Sequence, residues 1–359
     1  MKVALIASPY VAIPPKSYGG TELVILNLIN GLKEQGHEPI LLGPGDSTVD
    51  CRVVPITDKA VFFPKDPEDL KEFHARVNEI KITTKALLKD LLPEIDVIHS
   101  HSHPFGFDMR PFAGFPHVIT MHGPVVFKEL SYYLKRKHLN YVSISKNQQE
   151  AAPDLNFIGN VYNGEDPERF PVVSVPKNYV CFLGRFDSEK NPHLAIQLAI
   201  NAGVPIKVAG KIDFLGKDYF QKEIKPLLRH PLVEYLGELE FKEKVKLISN
   251  AMCNLHPTGF REPFGLTILE AAYCGTPTLA IERGSMPELI QDGFTGKLVE
   301  DFVEGTHQLK QCAEMDREYI ARRSRRLFNY KKMTKGYVRM YKKAIKSNAK
   351  EAIATNNNH

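Results

Sequence analysis

The chain has 359 residues, 43% hydrophobic and 25% charged, a globular composition at a length that suggests about two domains. No run approaches the ~20 apolar residues of a membrane span, and the start, Met1 to Pro15, is broken by Pro9, Pro14 and Pro15 without a cleavage-like site, so a strand is expected there rather than a signal peptide. Five scattered cysteines with no C-x-x-C pair argue against a disulfide framework or zinc site and point to a reducing cytoplasm.

In chain order, Lys2 to Ala7 predicts a strand and the Pro/Gly-rich stretch Ser8 to Gly20 a loop. Thr21 to Gln35 carries Leu23, Leu26, Leu28 and Leu32 at helical spacing and stops at Gly36. Glu38 to Gly43 is a second strand, Ile80 to Leu92 an amphipathic helix, and Ile95 to His99, Pro116 to His122 and Tyr141 to Ser145 are further strands. Strands separated by helices imply parallel pairing with helices on both faces. The proline-rich segment Gly164 to Lys177 marks a domain boundary. A second alternation follows: strand Tyr179 to Gly184, helix Pro192 to Ala202, strands Ile206 to Gly210, Val233 to Leu236 and Ala251 to His256, then a helix from Phe264 to Cys274. The expected architecture is α/β, with domains over 1–168 and 169–330 facing across a cleft. A basic helix, 331–350, would cross back to the first domain, and 351–359 would be a disordered tail.

The net charge of +5 hides an asymmetry: Arg317 to Lys350 holds thirteen Lys/Arg and one acid, Glu318, so the rest is negative. An anionic membrane, nucleic acid or a solvated helix face would each account for that. Val338, Tyr341, Ala344 and Ile345, at three- and four-residue steps, favour a docked helix with a solvated face. A supplementary contact with an anionic membrane is the alternative to that reading.

Four clusters carry chemistry. In His256 to Ala280, Pro263 stands where a helix can begin, Gly265 falls in its first turn and Gly275 ends it. The first-turn N–H groups of Phe264, Gly265, Leu266 and Thr267 suit a diphosphate. Glu262 and Glu270, about 12 Å apart along the segment, are spaced for sugar and ribose hydroxyls; a capped core helix with one exposed Glu is the alternative. In Cys181 to Pro192, Arg185 and Lys190 follow a strand, where two cations can neutralise a diphosphate, or serve as surface charges beside Asp187 and Glu189. In the opening loop, Gly19 and Gly20 permit close backbone approach ahead of a helix N-terminus at Thr21. That loop is neither G-x-G-x-x-G nor a P-loop, which disfavours a nicotinamide-binding domain and an NTPase. Lastly, His99, His101 and His103 alternate after a strand, read as loop-lining rather than metal-binding, and His122 ends another strand as a polar contact or a structural histidine.

These motifs together resemble family 4 of the retaining, nucleotide-sugar-dependent glycosyltransferases, with the GT-B fold of two Rossmann-like doubly wound parallel-sheet domains. GGTE (Gly20), TMHG (His122), VYNGED (Asn163-Gly164), GRFDSEKN (Arg185, Lys190) and EPFGLTILEAAYCGTP (Glu262, Glu270) fall in the family's order over nearly the whole chain. The PPKSYGGTE opening is most similar to a subgroup described as UDP-glucose-dependent small-acceptor glucosyltransferases. The resemblance implies that Glu262 contacts the donor sugar, Glu270 the ribose, and Arg185 and Lys190 the diphosphate, with the Gly20 loop closing over it. Phe264, Gly265, Leu266 and Thr267 complete the donor set, and Tyr235 to Leu239 is the loop whose backbone reads the base. His122 would lie near the sugar's reacting face. Glu262, Arg185, Lys190 and His122 are thus the expected catalytic set, and Thr21, Glu22, His101 and His122 the acceptor-side candidates. His256, ahead of Pro257-Thr258 where relatives carry an apolar residue, departs from the pattern and is expected to leave the acid and cation set untouched.

The chain has no D-x-D triplet, so no metal or other cofactor is expected; Arg185, Lys190 and helix N-termini would do a metal's work. The implied reaction moves a hexose, from UDP-glucose or a related sugar nucleotide, with retention to an unidentified small-molecule, glycan or lipid-linked acceptor. Acceptor specificity is expected in Pro55 to Arg76 and Val125 to His138. A nucleotide-sugar epimerase or other enzyme of this fold, and a non-enzymatic anionic-surface-binding protein, are the alternatives; nucleic acid is not the expected partner.

Overall fold

The computed structural model describes every residue except 17–18, 63–66, 103–106, 126, 213–215, 304 and 357–359. His103 of the histidine run and parts of both acceptor-side loops lie outside the described residues. The chain divides into two compact units. One takes Met1–Pro15, Gly19–Glu165 and the chain from Tyr330 onward; the other is built on Asp166–Asn329.

The first unit holds β1 (Lys2–Ile6), α1 (Gly20–Glu34), β2 (Glu38–Pro44), β3 (Arg52–Thr57), α2 (Leu70–Leu91), β4 (Val97–Ser100), β5 (His117–Thr120), α3 (Phe127–Leu134), β6 (Tyr141–Ser143), α4 (Lys146–Glu150) and β7 (Phe157–Asn160). Its sheet is parallel throughout, in the order β3-β2-β1-β4-β5-β6-β7. Residues on one face of these strands, among them Ala4, Ile6, Ile40, Leu42, Ile98 and Ile119, bury against Phe73, Val77, Ile80 and Leu88 of α2. The other face is covered too, which is why Val3 to Ile6 and Ile40 to Leu42 run apolar without alternation. Two elements differ from expectation. The stretch beginning at Pro55 is a loop only in part: Pro55 to Thr57 complete β3, an edge strand that tolerates a proline, and Leu70 to Arg76 lie in α2, whose buried positions begin at Phe73 rather than Ile80. β7 is the opposite edge.

The second unit holds β8 (Val180–Leu183), α5 (Pro192–Ala202), β9 (Ile206–Ala209), α6 (Lys217–Tyr219), β10 (Val233–Tyr235), α7 (Phe241–Asn250), β11 (Cys253–His256), α8 (Leu266–Tyr273), β12 (Thr278–Ile281), α9 (Met286–Leu289), β13 (Gly296–Val299), α10 (Thr306–Ala313) and α11 (Arg317–Leu327). Its parallel sheet runs β10-β9-β8-β11-β12-β13. α5 begins with a proline and ends at Gly203 in the left-handed region, both legible in the sequence. Strand order reverses between β1 and β4 in one sheet and between β8 and β11 in the other. In doubly wound sheets, ligand sites form outside the carboxyl ends of strands at such points.

The last helix, α12 (Tyr330–Asn356), belongs to the first unit. It buries Met333, Thr334, Tyr337, Tyr341 and Ala344, while Lys331, Lys332, Lys335, Arg339, Lys342, Lys343 and Lys346 are exposed. Val338 and Ile345 flank this buried stripe instead of forming it. α12 lies so close to α1 that a Cβ on Gly31 would sit 2.1 Å from Thr334 Oγ1. The α12 backbone runs as far as Asn356, through a stretch, Glu351 to Asn356, that contains no Gly or Pro.

Candidate active site

In the second unit the strand-order reversal brings the ends of β8 and β11 together. Gly184, after β8, approaches Gly210, after β9, so closely that a Cβ on Gly210 would fall 1.7 Å from the Gly184 carbonyl oxygen. The loop continues through Arg185 to Lys190, folded by Asp187, whose Oδ1 accepts from the Glu189 and Lys190 N–H groups at 3.1 and 2.9 Å. Arg185 reaches Asp187 at 3.2 Å and Glu189 at 3.5 Å, and it stays partly exposed. The surface pairing that the spacing allowed is therefore present in this structure.

Lys190 points the other way. Its Nζ donates to Glu262 Oε2 at 2.5 Å, with both side chains largely buried, at 15% and 13% exposure. His256, ending β11, places Nε2 3.1 Å from the same oxygen, and Thr258 Oγ1 is 2.9 Å from that nitrogen. This corrects the expectation that His256 leaves the acid and cation set alone: it touches the central acid. Burial by itself would raise the Glu262 carboxyl, but the Lys190 charge and the His256 contact reverse that and hold it well below the ordinary carboxylate range. Burial also lowers His256, so the imidazole is neutral near pH 7. The Glu262 backbone is fixed by Ser285, whose N–H donates to its carbonyl at 3.0 Å, and by Gly284, packed directly against it.

Helix α8 starts two residues later than expected, at Leu266 rather than Phe264. Gly265 has φ +94 and caps the helix instead of sitting in its first turn, a conformation that needs glycine. The Ile268 and Leu269 N–H groups bond back to the Gly265 carbonyl. The helix-end donors are therefore those of Leu266 and Thr267; Phe264 lies outside the turn and accepts from Ser285 Oγ at 2.7 Å. Glu270, in α8, is nearly buried; Lys244 of α7 donates to its Oε1, while Oε2 is buried without a hydrogen-bond partner. Leu239 is half-buried against the Cys181, Ala209 and Leu247 cluster, after a turn in which Gly237 has φ +70.

In the first unit the histidines form a buried chain. His99 Nδ1 is 2.7 Å from the Tyr341 hydroxyl and Nε2 2.7 Å from Thr120 Oγ1, which donates to Tyr337 at 3.1 Å. Since Thr120 gives its proton to Tyr337, it accepts from His99 Nε2–H, and His99 Nδ1 accepts from Tyr341. His101 Nδ1 lies 2.8 Å from His122 Nε2, and His101 Nε2 is buried without a partner. Burial pushes His99 and His101 well below the usual histidine value and His122 down to about 4. Among the described residues no cluster of three or more His, Cys, Asp or Glu is arranged to hold a metal. Gly20 opens α1 beside Thr21, and Glu22 is buried, accepting from Ser8 Oγ at 2.9 Å; burial raises its carboxyl.

Of the residues expected from the sequence, Glu262 and Lys190 are joined directly, while Arg185 and Glu270 pair with other side chains. His256, Thr258, Lys244, Gly284 and Ser285, which surround the two acids, were not among the expected site residues. A polar residue ending a buried strand was the one available signal for His256; Lys244, 26 positions from Glu270, had none.

Known proteins match this architecture. The description "Glycosyltransferase Family 4" matches residues 18–151, and "Glycosyl transferases group 1" matches residues 165–324. Glycogen synthase of Mycobacterium tuberculosis is 23% identical over 345 residues, 82% of this chain and 81% of that protein. Sucrose-phosphate synthase from Thermosynechococcus elongatus superposes with a TM-score of 0.78 at 17% identity, over 97% of this chain and 100% of that one. Anabaena HepE, solved with UDP-glucose, gives 0.70 at 17% identity over 96% and 100%. Among the described residues no helix is long and apolar enough to cross a membrane. With one family match in each unit, together spanning more than half of the sequence, and an architecture shared nearly end to end, the chain belongs to the glycosyltransferases of family 4 and has the GT-B fold.

Proposed function

We propose that this glycosyltransferase moves a hexose from UDP-glucose, or a close UDP-sugar relative, to an acceptor hydroxyl with retention and without a metal. The observation that carries the reading is the buried Glu262–Lys190–His256 group at the end of β11, beside the N-terminus of α8. Glu262 Oε2 is occupied by both donors, so Oε1 is the oxygen left to accept a sugar hydroxyl. Arg185, Lys190 and the Leu266 and Thr267 N–H groups supply positive charge for a diphosphate. The unpartnered Glu270 Oε2 would accept from a ribose hydroxyl, which accounts for an otherwise costly buried oxygen. HepE was solved with UDP-glucose, which supports that donor.

In the proposed step the bond from the anomeric carbon to the diphosphate oxygen breaks as the acceptor oxygen attacks on the same face. The acceptor's proton passes to the departing diphosphate, and the products are a glycoside and UDP. Glu262 is a poor nucleophile here because two donors hold its charge, which favours this route over a covalent enzyme intermediate. Thr21, Glu22, His101 and His122 are the acceptor-side candidates. The five free cysteines, four of them buried, support a reducing cytoplasm. The exposed cations of α12 support a subsidiary contact with an anionic membrane, which co-sedimentation with anionic vesicles would detect.

The test is a thermal-shift panel of UDP-, ADP- and GDP-sugars, followed by a transfer assay that reads the anomeric configuration. A selective shift with a UDP-hexose and a retained product are expected, with transfer abolished by Glu262→Ala. No shift with any sugar nucleotide would overturn the reading.

A further inference from the structure

Lys190 carries two assignments that pull in different directions. It pairs with Glu262 at 2.5 Å, yet under the proposed function it also serves the diphosphate. A doubly charged ligand draws the ammonium toward itself, and a carboxylate that loses its cation is free to rotate away from the sugar. Some other donor has to keep Glu262 in place.

His256 has the geometry for that. Its side chain is 5% exposed, at the end of β11, and Nε2 faces Glu262 Oε2 at 3.1 Å. A carboxylate only accepts hydrogen bonds, so the imidazole proton sits on Nε2; the tautomer is set by the contact itself. Thr258 Oγ1, 2.9 Å from the same nitrogen, shares that proton as a second acceptor. Being neutral, His256 gains nothing by following a phosphate, so its bond to Glu262 persists when the lysine's weakens.

We propose that His256 is a positioning residue: its Nε2–H holds the Glu262 carboxylate in register for the donor sugar while Lys190 turns to the diphosphate. This rests on the nucleotide-sugar reading above and assigns to a residue that departs from the family pattern a task in sugar recognition. It distinguishes His256 from a buried histidine that merely fills the end of a strand, because the role concerns the sugar half of the donor and not its nucleotide half.

The experiment compares wild type, His256→Leu and His256→Gln. Affinities for UDP and for UDP-glucose are measured by calorimetry, and the imidazole tautomer of the free protein by nitrogen-15 NMR. His256→Leu should leave UDP affinity within about twofold and weaken UDP-glucose by about tenfold or more, the loss of one hydrogen bond to a charged group. His256→Gln, whose side-chain N–H reaches a similar position, should restore most of it. In the free wild type the ring should be the Nε2–H tautomer, with a proton resonance that moves in Glu262→Gln. Equal losses for UDP and UDP-glucose would overturn the proposal in favour of a structural role, as would unchanged UDP-glucose binding in His256→Leu. An Nδ1–H tautomer would refute the contact without any ligand. A wild type that binds neither nucleotide while showing the Nε2–H tautomer would overturn the function and the role that depends on it, and leave the contact standing.

Discussion

Gly284 controls Glu262 from outside the acid's own loop, and its replacement by alanine separates two costs. Gly284 has φ +63, and a Cβ there would lie 2.5 Å from the Glu262 nitrogen and 2.6 Å from its carbonyl oxygen. Both are backbone atoms, so no side-chain rotation relieves the contact. Reaching the 3.4 Å of ordinary van der Waals contact moves the Glu262 backbone by about 0.9 Å, a displacement of the kind that costs about 100-fold in rate at a reacting centre. Stability should fall by about 1–2 kcal/mol for the left-handed backbone and by a further ~1–3 kcal/mol for the overpacking. Gly293 supplies the control: φ is +78, but nothing lies within 4 Å of its added Cβ. Gly293→Ala should therefore carry only the backbone cost and keep its transfer rate. Urea unfolding measures the first quantity, and initial transfer rates at saturating donor the second. If Gly284→Ala matches Gly293→Ala in both, the Glu262 backbone is not held in the way argued here.

Arg185→Ala should weaken UDP binding by about tenfold and leave the melting temperature nearly unchanged, since its partners Asp187 and Glu189 form a partly exposed pairing of small energetic weight; unchanged UDP affinity would remove Arg185 from the diphosphate site. Lys244→Met strands the nearly buried Glu270 charge and should cost about 3–5 kcal/mol, most of which the double variant with Glu270→Gln recovers; additive losses in the double-variant cycle would argue against the pairing. The histidine chain should make the protein acid-sensitive. Burial lowers His122 to about 4, so between about pH 6.5 and 4 the unfolded chain binds a proton there that the fold does not, and stability falls as pH falls. Between pH 7 and 5 the His122 contribution is at most about 2 kcal/mol, less whatever its partial solvent access screens. His122→Asn should reduce the pH slope of urea unfolding by that amount, and an unaltered slope would refute the assignment.

The central strands of both sheets were legible because burial on two faces writes them as unbroken apolar runs, as in Val3 to Ile6 and Val180 to Leu183. The edges were not. Pro55 in β3 and Gly159 in β7 are residues that weaken a strand interior, and their place at the margin of a sheet makes them tolerable. α12 was legible as a docked helix, but only Tyr341 and Ala344 of its buried stripe were named. The residues that determine it, Thr334 against Gly31 and Tyr341 against His99, are about 300 and 242 positions from their partners.

The same division runs through the active site and has a physical cause. Glu262, Arg185 and Gly265 follow strands or precede a helix, and there the chain must carry glycine and proline to turn; that local requirement makes a motif. What a carboxylate can do once placed is decided by charges and donors that arrive through tertiary closure. Lys190, 72 positions from Glu262, sets its ionisation; His256, only six away, touches it because the Pro257 to Arg261 loop folds back from the end of β11. Spacing along the chain carries the first kind of information and not the second. An acid found by motif alone has a position but no pKa and no orientation. For Glu262 the ionisation comes from Lys190, which its own motif marks without pairing it to the acid, and the orientation from His256, which no motif marks. A change at His256 should therefore register in donor-sugar affinity, by about tenfold, while Glu262→Ala removes transfer altogether.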